Sequence, residues 1–349
     1  MNSERMTADS VISLKHELRR GKLDLKVDVQ IPATGITGLF GESGSGKTTL
    51  LRCIAGLEPD PSRDTRPVHK RNVGYVFQEP QLFPHLTVKR NIEFGARRAS
   101  KQNVDQHRAI EMLGLGDLLD RKPRGLSVGE AQRVAIASVL LRSPQLILMD
   151  EPLASLDQRR KDELLPYLDR LHDELSVPMI YVSHSIDEVS RLCDHLMLID
   201  DGKIVGCGEV HAILARLDLP MLSGRNAGSV IDATPERYDA DYDLTQFRFS
   251  GGELHVPGHF DADAPNLRLR IAASDVSICL SRPQKTTILN VLPATVDDIH
   301  RTGDSSGLVR LVLGGDFLIA QVTRRSVNSL DLKKGDRVYA QVKSVTVKR

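Results

Sequence analysis

The sequence has 349 residues and contains no tryptophan, and its aromatic residues make up only 4% of the chain. Scarce aromatic side chains argue against the stacking platforms by which proteins bind single-stranded nucleic acids. An excess of basic charge is missing too, because 47 Lys and Arg residues face 46 Asp and Glu residues and leave a net charge of +1. We therefore expect no nucleic-acid partner.

Long apolar runs and paired cysteines are also absent. No uninterrupted apolar run reaches the roughly 18 residues of a membrane span, and the N-terminus is polar, so we expect neither a transmembrane helix nor a secretory signal. The four cysteines are far apart and lack Cys-x-x-Cys spacing. We expect free thiols in a reducing compartment rather than disulfides or a metal site.

The first part of the chain alternates strand-like and helical segments. Apolar runs rich in β-forming residues predict strands at 35–40, 73–77, 146–149, 179–182 and 196–199. Amphipathic segments between them predict helices at 47–55, 129–141 and 159–175. The pair Asp201-Gly202 after the last of these strands predicts a tight hairpin. Strands that alternate with helices are typical of a mostly parallel α/β sheet.

The last part of the chain has a different pattern of predicted secondary structure. From about residue 225 onward, short alternating strands and turns replace the helical segments, as in the period-two run 267–271. Residues 308–313 and 317–322 flank a Gly314-Gly315-Asp316 turn and predict a hairpin. The pattern indicates a small all-β, OB-like barrel. We therefore predict two domains, at 1–224 and 225–349.

A phosphate-binding loop follows the first predicted strand of the α/β part. Its residues fit the pattern G-x-x-x-x-G-K-[ST] and open a predicted helix, which is the context that the motif requires. Backbone N–H groups of such a loop point at phosphate oxygens, Lys47 can reach the β- and γ-phosphates, and the Thr48 hydroxyl can ligate Mg²⁺. The predicted ligands of ATP are Gly41, Glu42, Ser43, Gly44, Ser45, Gly46, Lys47, Thr48 and Thr49.

Two carboxylates follow the buried run 146–149. Asp150 and Glu151 are expected at the carboxyl edge of a parallel sheet, where ligands bind in such folds. Asp150 is then placed to hold Mg²⁺, and Glu151 to polarise an attacking water. Capping of a helix N-terminus is the alternative role for this acidic pair.

Four further motifs stand in an order that resembles the ABC-type ATPases. Gln78 in Tyr-Val-Phe-Gln resembles the Q-loop, 126–130 (Leu-Ser-Val-Gly-Glu) the signature motif, 153–157 the D-loop, and His184 the switch histidine. The resemblance covers about residues 10–220. It implies catalytic roles for Gln78, Glu151 and His184, with Gln78 also at the Mg²⁺. It further implies a head-to-tail dimer in which each chain completes the ATP site of the other through Ser127, Gly129 and Glu130.

Three features depart from that pattern. Val128 stands where the signature motif normally has glycine, which adds bulk where backbone should approach phosphate. The polar segment 59–70 is short, so part of an antiparallel strand layer is expected to be missing. Residues 11–39 contain no Phe, Tyr or Trp, and the family often stacks adenine on an aromatic residue in this region. We expect slowed hydrolysis and loose selectivity for the nucleobase.

The C-terminal part resembles the regulatory region of molybdate importer ATPases. The runs 271–277, 287–293, 322–326 and 341–345 carry this likeness, and they indicate a Mop or TOBE module at about 284–348. Its polar side chains are of the kind that bind a tetrahedral oxyanion through hydrogen bonds. The alternative is a barrel that only dimerises. The candidate oxyanion ligands are Thr286, Thr287, Asn290, Lys343 and Ser344.

Together these resemblances imply the ATPase subunit of an ABC importer, with molybdate as the expected cargo. The implied partners are a second copy of the chain, transmembrane permease subunits that contact residues 83–86, and indirectly an extracytoplasmic solute-binding protein. The implied location is peripheral, on the cytoplasmic face of the inner membrane. Three alternatives stay open: another cargo (sulfate, tungstate, ferric ion or a sugar), a soluble ABC ATPase without a permease, and an oxyanion sensor with an inert ATPase.

Overall fold

The computed structural model describes residues 11–58, 71–96, 105–262, 266–302 and 305–348. These residues form two compact units, divided in the sequence between Gly208 and Glu209 and called unit 1 and unit 2 below. This division lies before residue 224, where the sequence predicts the boundary between the two domains. The predicted domain boundary stays a prediction. The strand layer expected to be reduced at 59–70 lies outside the described residues.

Unit 1 is built around one eight-stranded sheet. Its strands are β1 (Val11–Arg20), β2 (Leu23–Pro32), β3 (Ile36–Phe40), β4 (Val73–Val76), β5 (Leu146–Asp150), β6 (Met179–Ser183), β7 (His195–Asp200) and β8 (Lys203–Glu209). Their spatial order is β1-β2-β8-β7-β3-β6-β5-β4. The pairs from β7 through β3, β6 and β5 to β4 are parallel, whereas β1 and β2 form an antiparallel hairpin.

The five predicted strands and the parallel sheet are confirmed. Strands β3, β5 and β6 are buried at every position, as expected for a parallel sheet covered on both faces. The hairpin predicted at Asp201-Gly202 joins β7 to β8, and both turn residues have positive φ. The β1–β2 hairpin, by contrast, was not among the predicted elements.

The described part of unit 1 also contains six α-helices: α1 (Lys47–Ala55), α2 (Val88–Ala96), α3 (Gln106–Met112), α4 (Val128–Leu140), α5 (Gln158–Glu174) and α6 (Ile186–Leu192). The three predicted helices are confirmed as α1, α4 and α5. Leu50, Leu51 and Ile54 of α1 pack in one core cluster with residues of β2, β5, β6 and β7. This packing holds α1 against the sheet, and the helix begins at Lys47, after the loop that follows β3.

Unit 2 holds a short helix, α7 (Val210–Leu214), and two antiparallel sheets. The strands are β9 (Gly228–Asp239), β10 (Leu244–Phe249), β11 (Gly252–Pro257), β12 (Leu267–Ala272), β13 (Val276–Cys279), β14 (Asn290–Thr302), β15 (Ser306–Leu313), β16 (Asp316–Thr323), β17 (Arg337–Val342) and β18 (Thr346–Lys348), with α8 (Arg324–Ser329) after β16. One sheet has the order β11-β10-β9-β12-β18 and the other β13-β17-β14-β15-β16. The predicted all-β class is confirmed, as is the hairpin β15–β16.

The two sheets of unit 2 interleave in the sequence, because the last strand joins the first sheet, and they share a core. The last strand, β18, pairs with β12 of the first sheet, and β13 pairs with β17 of the second. Phe247 and Leu269 from one sheet pack in the same cluster as Val309 and Leu318 from the other. The segment from 284 to 348 is therefore not closed by itself, because it depends on β12 and β13 for its edges.

Candidate functional site

The phosphate loop joins β3 to α1 in unit 1, as the sequence predicts. Gly44 and Gly46 have φ values of 86° and 105°, in the left-handed region that glycine adopts without strain. A Cβ atom at Gly41 would collide with the carbonyl oxygen of Ile199. These three glycines are thus required by the backbone path of the loop, and helix α1 begins directly after it at Lys47.

Lys47 is the buried cation of this loop. Its Nζ donates to the carbonyl oxygens of Gly41 and Glu42, both at 2.9 Å, and lies 3.9 Å from Glu151 Oε1. Burial lowers the pKa of Lys47, and the charges of Glu151 and Asp150 oppose that shift. Among the described residues, Ser45 Oγ has no hydrogen-bond partner although it is buried. An unsatisfied hydroxyl beside a cation and a helix N-terminus fits an anionic phosphate group.

Asp150 is the last residue of β5, and both of its carboxylate oxygens accept a hydrogen bond. Thr48 Oγ1, in the first turn of α1, donates to Oδ1 at 3.0 Å. The Tyr75 hydroxyl, from the neighbouring strand β4, donates to Oδ2 at 2.7 Å. Burial and the contact with Asp150 raise the pKa of Tyr75, so the phenol remains a donor at neutral pH. Thr48 and Asp150 carry hard oxygen atoms of the kind that Mg²⁺ prefers as ligands.

Glu151 follows Asp150 with a positive φ of 46°, a conformation that non-glycine residues adopt rarely and that clusters at functional sites. Its N–H donates to the carbonyl oxygen of Val182 at 3.2 Å, which ties the turn to β6. Its Oε2 lies 3.1 Å from Nδ1 of His184, the residue that follows β6. The structure therefore brings Lys47, Thr48, Asp150, Glu151 and His184 together at one sheet edge.

A buried carboxylate supports the turn that carries His184. Glu188, on α6, accepts hydrogen bonds from Tyr181 (2.9 Å) and Ser183 (2.7 Å), and it forms a 2.8 Å ion pair with Lys161 of α5. Ser183 Oγ also accepts from the N–H of Ser185 at 2.9 Å, which closes the turn around His184. Sequence reasoning missed Glu188. Its spacing of four residues after His184 was the available signal.

The signature residues lie in another pocket of unit 1. Ser127 caps α4 by accepting from the Glu130 N–H, and Glu130 accepts from the Ser127 N–H at 2.7 Å, which forms a capping box. The hydrogen bond from the Ser127 N–H lowers the pKa of Glu130. Ser127, Gly129 and Glu130 line a pocket with Arg133 and Tyr167. The pocket at the phosphate loop is lined by Leu23, Ser43, Gly44, Lys47, Thr48 and Glu151 instead. The structure does not bring these two groups together within one chain.

Gln78 is exposed two residues after the end of β4, and the register of β4 sets Val76 beside Met149 of β5. It therefore lies at the same sheet edge as Asp150. The buried Gln132 of α4 donates to the carbonyl oxygen of Phe77 at 3.1 Å and so ties this loop to the signature helix.

The loop 83–86, the expected contact of a permease, lies between Gln78 and α2. The buried Asn91 of α2 shapes it, since its amide accepts from the Phe83 N–H at 2.8 Å and donates to the Phe83 and Thr87 carbonyls. The Phe83 side chain remains 39% exposed. Sequence reasoning missed Asn91, which holds the loop so that this apolar side chain stays at the surface.

The five oxyanion candidates of unit 2 lie at one end of the β14–β17 pair. Asn290 begins β14 opposite Val342, the end of β17, so Thr286 and Thr287 precede this position and Lys343 and Ser344 follow it. The Asn290 amide is already engaged, because it accepts from the His255 N–H at 2.7 Å and donates to the His255 carbonyl at 3.0 Å. The other four side chains are exposed.

Comparison with known proteins gives the family context. The protein-family model described as "ABC transporter" matches residues 25–154, and the TOBE domain model matches 286–348. Molybdenum import ATP-binding protein ModC 1 of Azotobacter vinelandii is 48% identical over 341 residues, which cover 93% of this chain and 94% of the relative. Molybdenum import ATP-binding protein ModC of Pseudomonas fluorescens is 47% identical, over 96% of this chain and 99% of the relative.

Among solved structures, cbiO1 from Clostridium perfringens, part of the ABC transporter complex cbiONQ, is similar at a TM-score of 0.50 and 26% identity. The likeness covers 59% of this chain and 90% of that protein. Among the described residues, no helix of the present chain is long and apolar enough to cross a membrane.

Proposed function

This chain belongs to the ATP-binding subunits of ABC transporters, among the molybdenum import ATP-binding proteins, and from that premise we propose that it hydrolyses ATP to drive molybdate uptake through a separate permease. One observation carries the enzymatic part of the proposal. Lys47 contacts Glu151, Thr48 contacts Asp150, and Glu151 in turn contacts His184, all at one edge of the parallel sheet. Phosphoryl transfer needs this set: a phosphate cradle, a metal holder and a group that orients water.

ATP binds through its phosphates to the loop 41–49. The N–H groups of the loop and the N-terminus of α1 face the anion, and Lys47 adds a positive charge beside them. Ser45 supports this assignment, because its buried hydroxyl has no hydrogen-bond partner among the described residues. Leu23 of β2 lines the same pocket, and an aliphatic side chain at the nucleobase would favour loose selectivity.

Thr48 and Asp150 would hold Mg²⁺, with Gln78 at the same sheet edge. The Thr48 hydroxyl and the Asp150 carboxylate offer hard oxygen atoms, and Thr48 Oγ1 lies 3.0 Å from Asp150 Oδ1. The metal would supply positive charge that offsets the negative charge of the phosphates.

Glu151 acts on the attacking water. Its carboxylate accepts a proton as the water oxygen bonds to the γ-phosphorus and the bond to the ADP oxygen breaks. His184, 3.1 Å from Glu151 Oε2, orients that carboxylate and the γ-phosphate. General-base assistance of this kind contributes roughly 10²–10⁴-fold to rate.

A second copy of the chain completes each ATP site. The signature residues Ser127, Gly129 and Glu130 line a pocket apart from the phosphate loop, at the N-terminus of the 13-residue helix α4. A helix N-terminus attracts anions, so this pocket suits the γ-phosphate of ATP bound to a partner chain in head-to-tail contact. Val128, the first residue of α4, is 39% exposed at this surface and is expected to slow closure of the dimer.

The dimer works on the cytoplasmic face of the inner membrane as a peripheral subunit. The loop 83–86, with its exposed Phe83, contacts the permease, and an extracytoplasmic solute-binding protein delivers molybdate to that permease. Unit 2 senses oxyanion through Thr286, Thr287, Lys343 and Ser344. Asn290 supports this end of the sheet through its hydrogen bonds to His255.

Deletion of the gene tests the cargo. A molybdenum-dependent enzyme of the host should lose activity in trace molybdate and regain it in excess molybdate. The wild-type gene should restore activity in trace molybdate, whereas the variant Glu151→Gln should not. Full activity of the deletion strain in trace molybdate, in a host without a second molybdate importer, would assign the ATPase to another solute.

A further inference from the structure

Tyr75 reaches the proposed metal site from the core of unit 1. It lies on β4 beside Leu148 of β5, and its ring packs against the core cluster that contains Leu50 and Leu148. The ring centroid of Phe77 is 4.5 Å away. At the far end of the same side chain, the hydroxyl donates to Asp150 Oδ2 at 2.7 Å. An apolar body and a polar tip thus contact two different environments.

The contact gives Asp150 a donor on each oxygen, and the two donors come from independent elements. Thr48 is fixed by α1 and donates to Oδ1, whereas Tyr75 is fixed by β4 and donates to Oδ2. The torsion that turns an aspartate carboxylate is broad when nothing restrains it. One donor on each oxygen restrains that rotation. Of the two donors, Thr48 is also a proposed metal ligand, whereas Tyr75 has no other proposed role in ATP hydrolysis.

We propose that Tyr75 is a positioning residue for magnesium: its hydroxyl fixes the rotation of the Asp150 carboxylate so that the Oδ1 edge stays directed at Thr48. The inference rests on the proposed function, in which Thr48 and Asp150 hold Mg²⁺. Tyr75 acts on the metal site through its hydrogen bond to Asp150. It contributes by keeping Asp150 in its binding geometry before the metal arrives, which reduces the ordering that binding requires.

Tyr75→Phe separates this role from core packing, because it keeps the ring and removes the hydroxyl alone. Purified variants are titrated with a fluorescent ATP analogue, first in EDTA and then over a range of Mg²⁺ concentrations. The variant should bind nucleotide in EDTA as the wild type does. Its half-saturating Mg²⁺ concentration should rise about tenfold, the scale of one lost hydrogen bond to a charged group.

Two controls keep the result interpretable. Tyr339 is a half-buried tyrosine on β17 of unit 2. Tyr339→Phe removes its hydroxyl and should keep the wild-type Mg²⁺ requirement. In an Asp150→Asn background, Tyr75→Phe should cause no further change. If Tyr75→Phe does not fold, Tyr75→Met keeps an unbranched apolar side chain without the donor and should give the same shift.

Either of two outcomes would overturn the role of Tyr75. An unchanged Mg²⁺ requirement would mean that the hydroxyl does not position Asp150. An equal loss of nucleotide affinity with and without Mg²⁺ would mean that Tyr75 serves the core alone. A wild-type protein that binds nucleotide without regard to Mg²⁺ would instead contradict the proposed metal site, and with it the premise.

Discussion

The candidate polar residues of unit 1 contact one another, whereas those of unit 2 are exposed or bonded to backbone. In unit 1, the residues drawn from the phosphate loop, from the end of β5 and from the turn after β6 contact one another within 4 Å. In unit 2, four of the five candidates are exposed, and the fifth, Asn290, is bonded to the backbone of His255.

The difference follows from strand direction. In a parallel sheet every strand ends at the same edge, so residues that follow different strands come together however far apart they are in sequence. In an antiparallel sheet, successive strands end at opposite edges. In unit 1, motifs that follow different strands in the sequence therefore lie together in one site. In unit 2, polar residues near one strand end can equally serve the fold.

The largest effect is expected from Glu151→Gln in unit 1. Loss of the group that accepts the water proton should reduce ATP hydrolysis by roughly 10²–10⁴-fold, while nucleotide still binds to the loop. Release of inorganic phosphate measures the hydrolysis rate, and titration with nucleotide measures the affinity of the loop. Glu17→Gln, on the exposed face of β1, is the control and should hydrolyse ATP normally. Comparable rates for both variants would break the assignment of catalysis to this edge.

Glu188→Ala tests how tightly unit 1 holds its buried polar groups. The change leaves the Lys161 ammonium, whose side chain is 17% exposed, without its partner, and it removes an acceptor from Tyr181 and Ser183. The free energy of unfolding should fall by about 3–5 kcal/mol. Hydrogen exchange resolved by peptide should locate the loss in unit 1. Glu163→Ala, in an exposed ion pair on α5, should change stability by less than about 0.5 kcal/mol.

Asn290→Ala asks whether a candidate of unit 2 serves the fold. Removal of its amide leaves the N–H and carbonyl of His255 without these partners, which should cost about 1–3 kcal/mol. Faster hydrogen exchange in β11 and β14 is the expected signature. The exposed Thr287→Ala is its matched control and should leave exchange unchanged. Equal stability of the two variants would return Asn290 to the set of freely available oxyanion ligands.

The smallest effect is expected at Val128. Its β-branched side chain stands at the start of α4, where the signature pocket opens. Val128→Gly should raise the rate of ATP hydrolysis several-fold, and Val128→Ala, which keeps the helix, should give part of that gain. An equal or lower rate for both variants would show that this bulk does not limit the reaction.

Local sequence signals predicted most of unit 1. The strands and helices around the phosphate loop carry clear periodicities and turn residues, and the structure confirms them. The β1–β2 hairpin was missed although 11–32 alternates around the turn at Gly21, which has a positive φ of 58°. Charged side chains on its exposed face weakened the apolar pattern there.

Contacts between distant residues could not be predicted in the same way. The Tyr75 hydroxyl meets an acid 75 positions away, and Asn290 meets backbone 35 positions away. Neither contact follows from periodicity, because each depends on which strands become neighbours. The exchange of β18 into the first sheet of unit 2 has the same origin, since register and pairing are set by the shared core.

The central claim is that ATP hydrolysis at the edge of unit 1 drives molybdate across a membrane. Its most direct test is uptake of radioactive molybdate into vesicles that contain the permease with this chain, supplied with the solute-binding protein. Uptake should require ATP and Mg²⁺, stop with Glu151→Gln and persist with Glu17→Gln. Vesicles in which the wild-type chain hydrolyses ATP but molybdate does not enter, while sulfate or another solute does, would contradict the account.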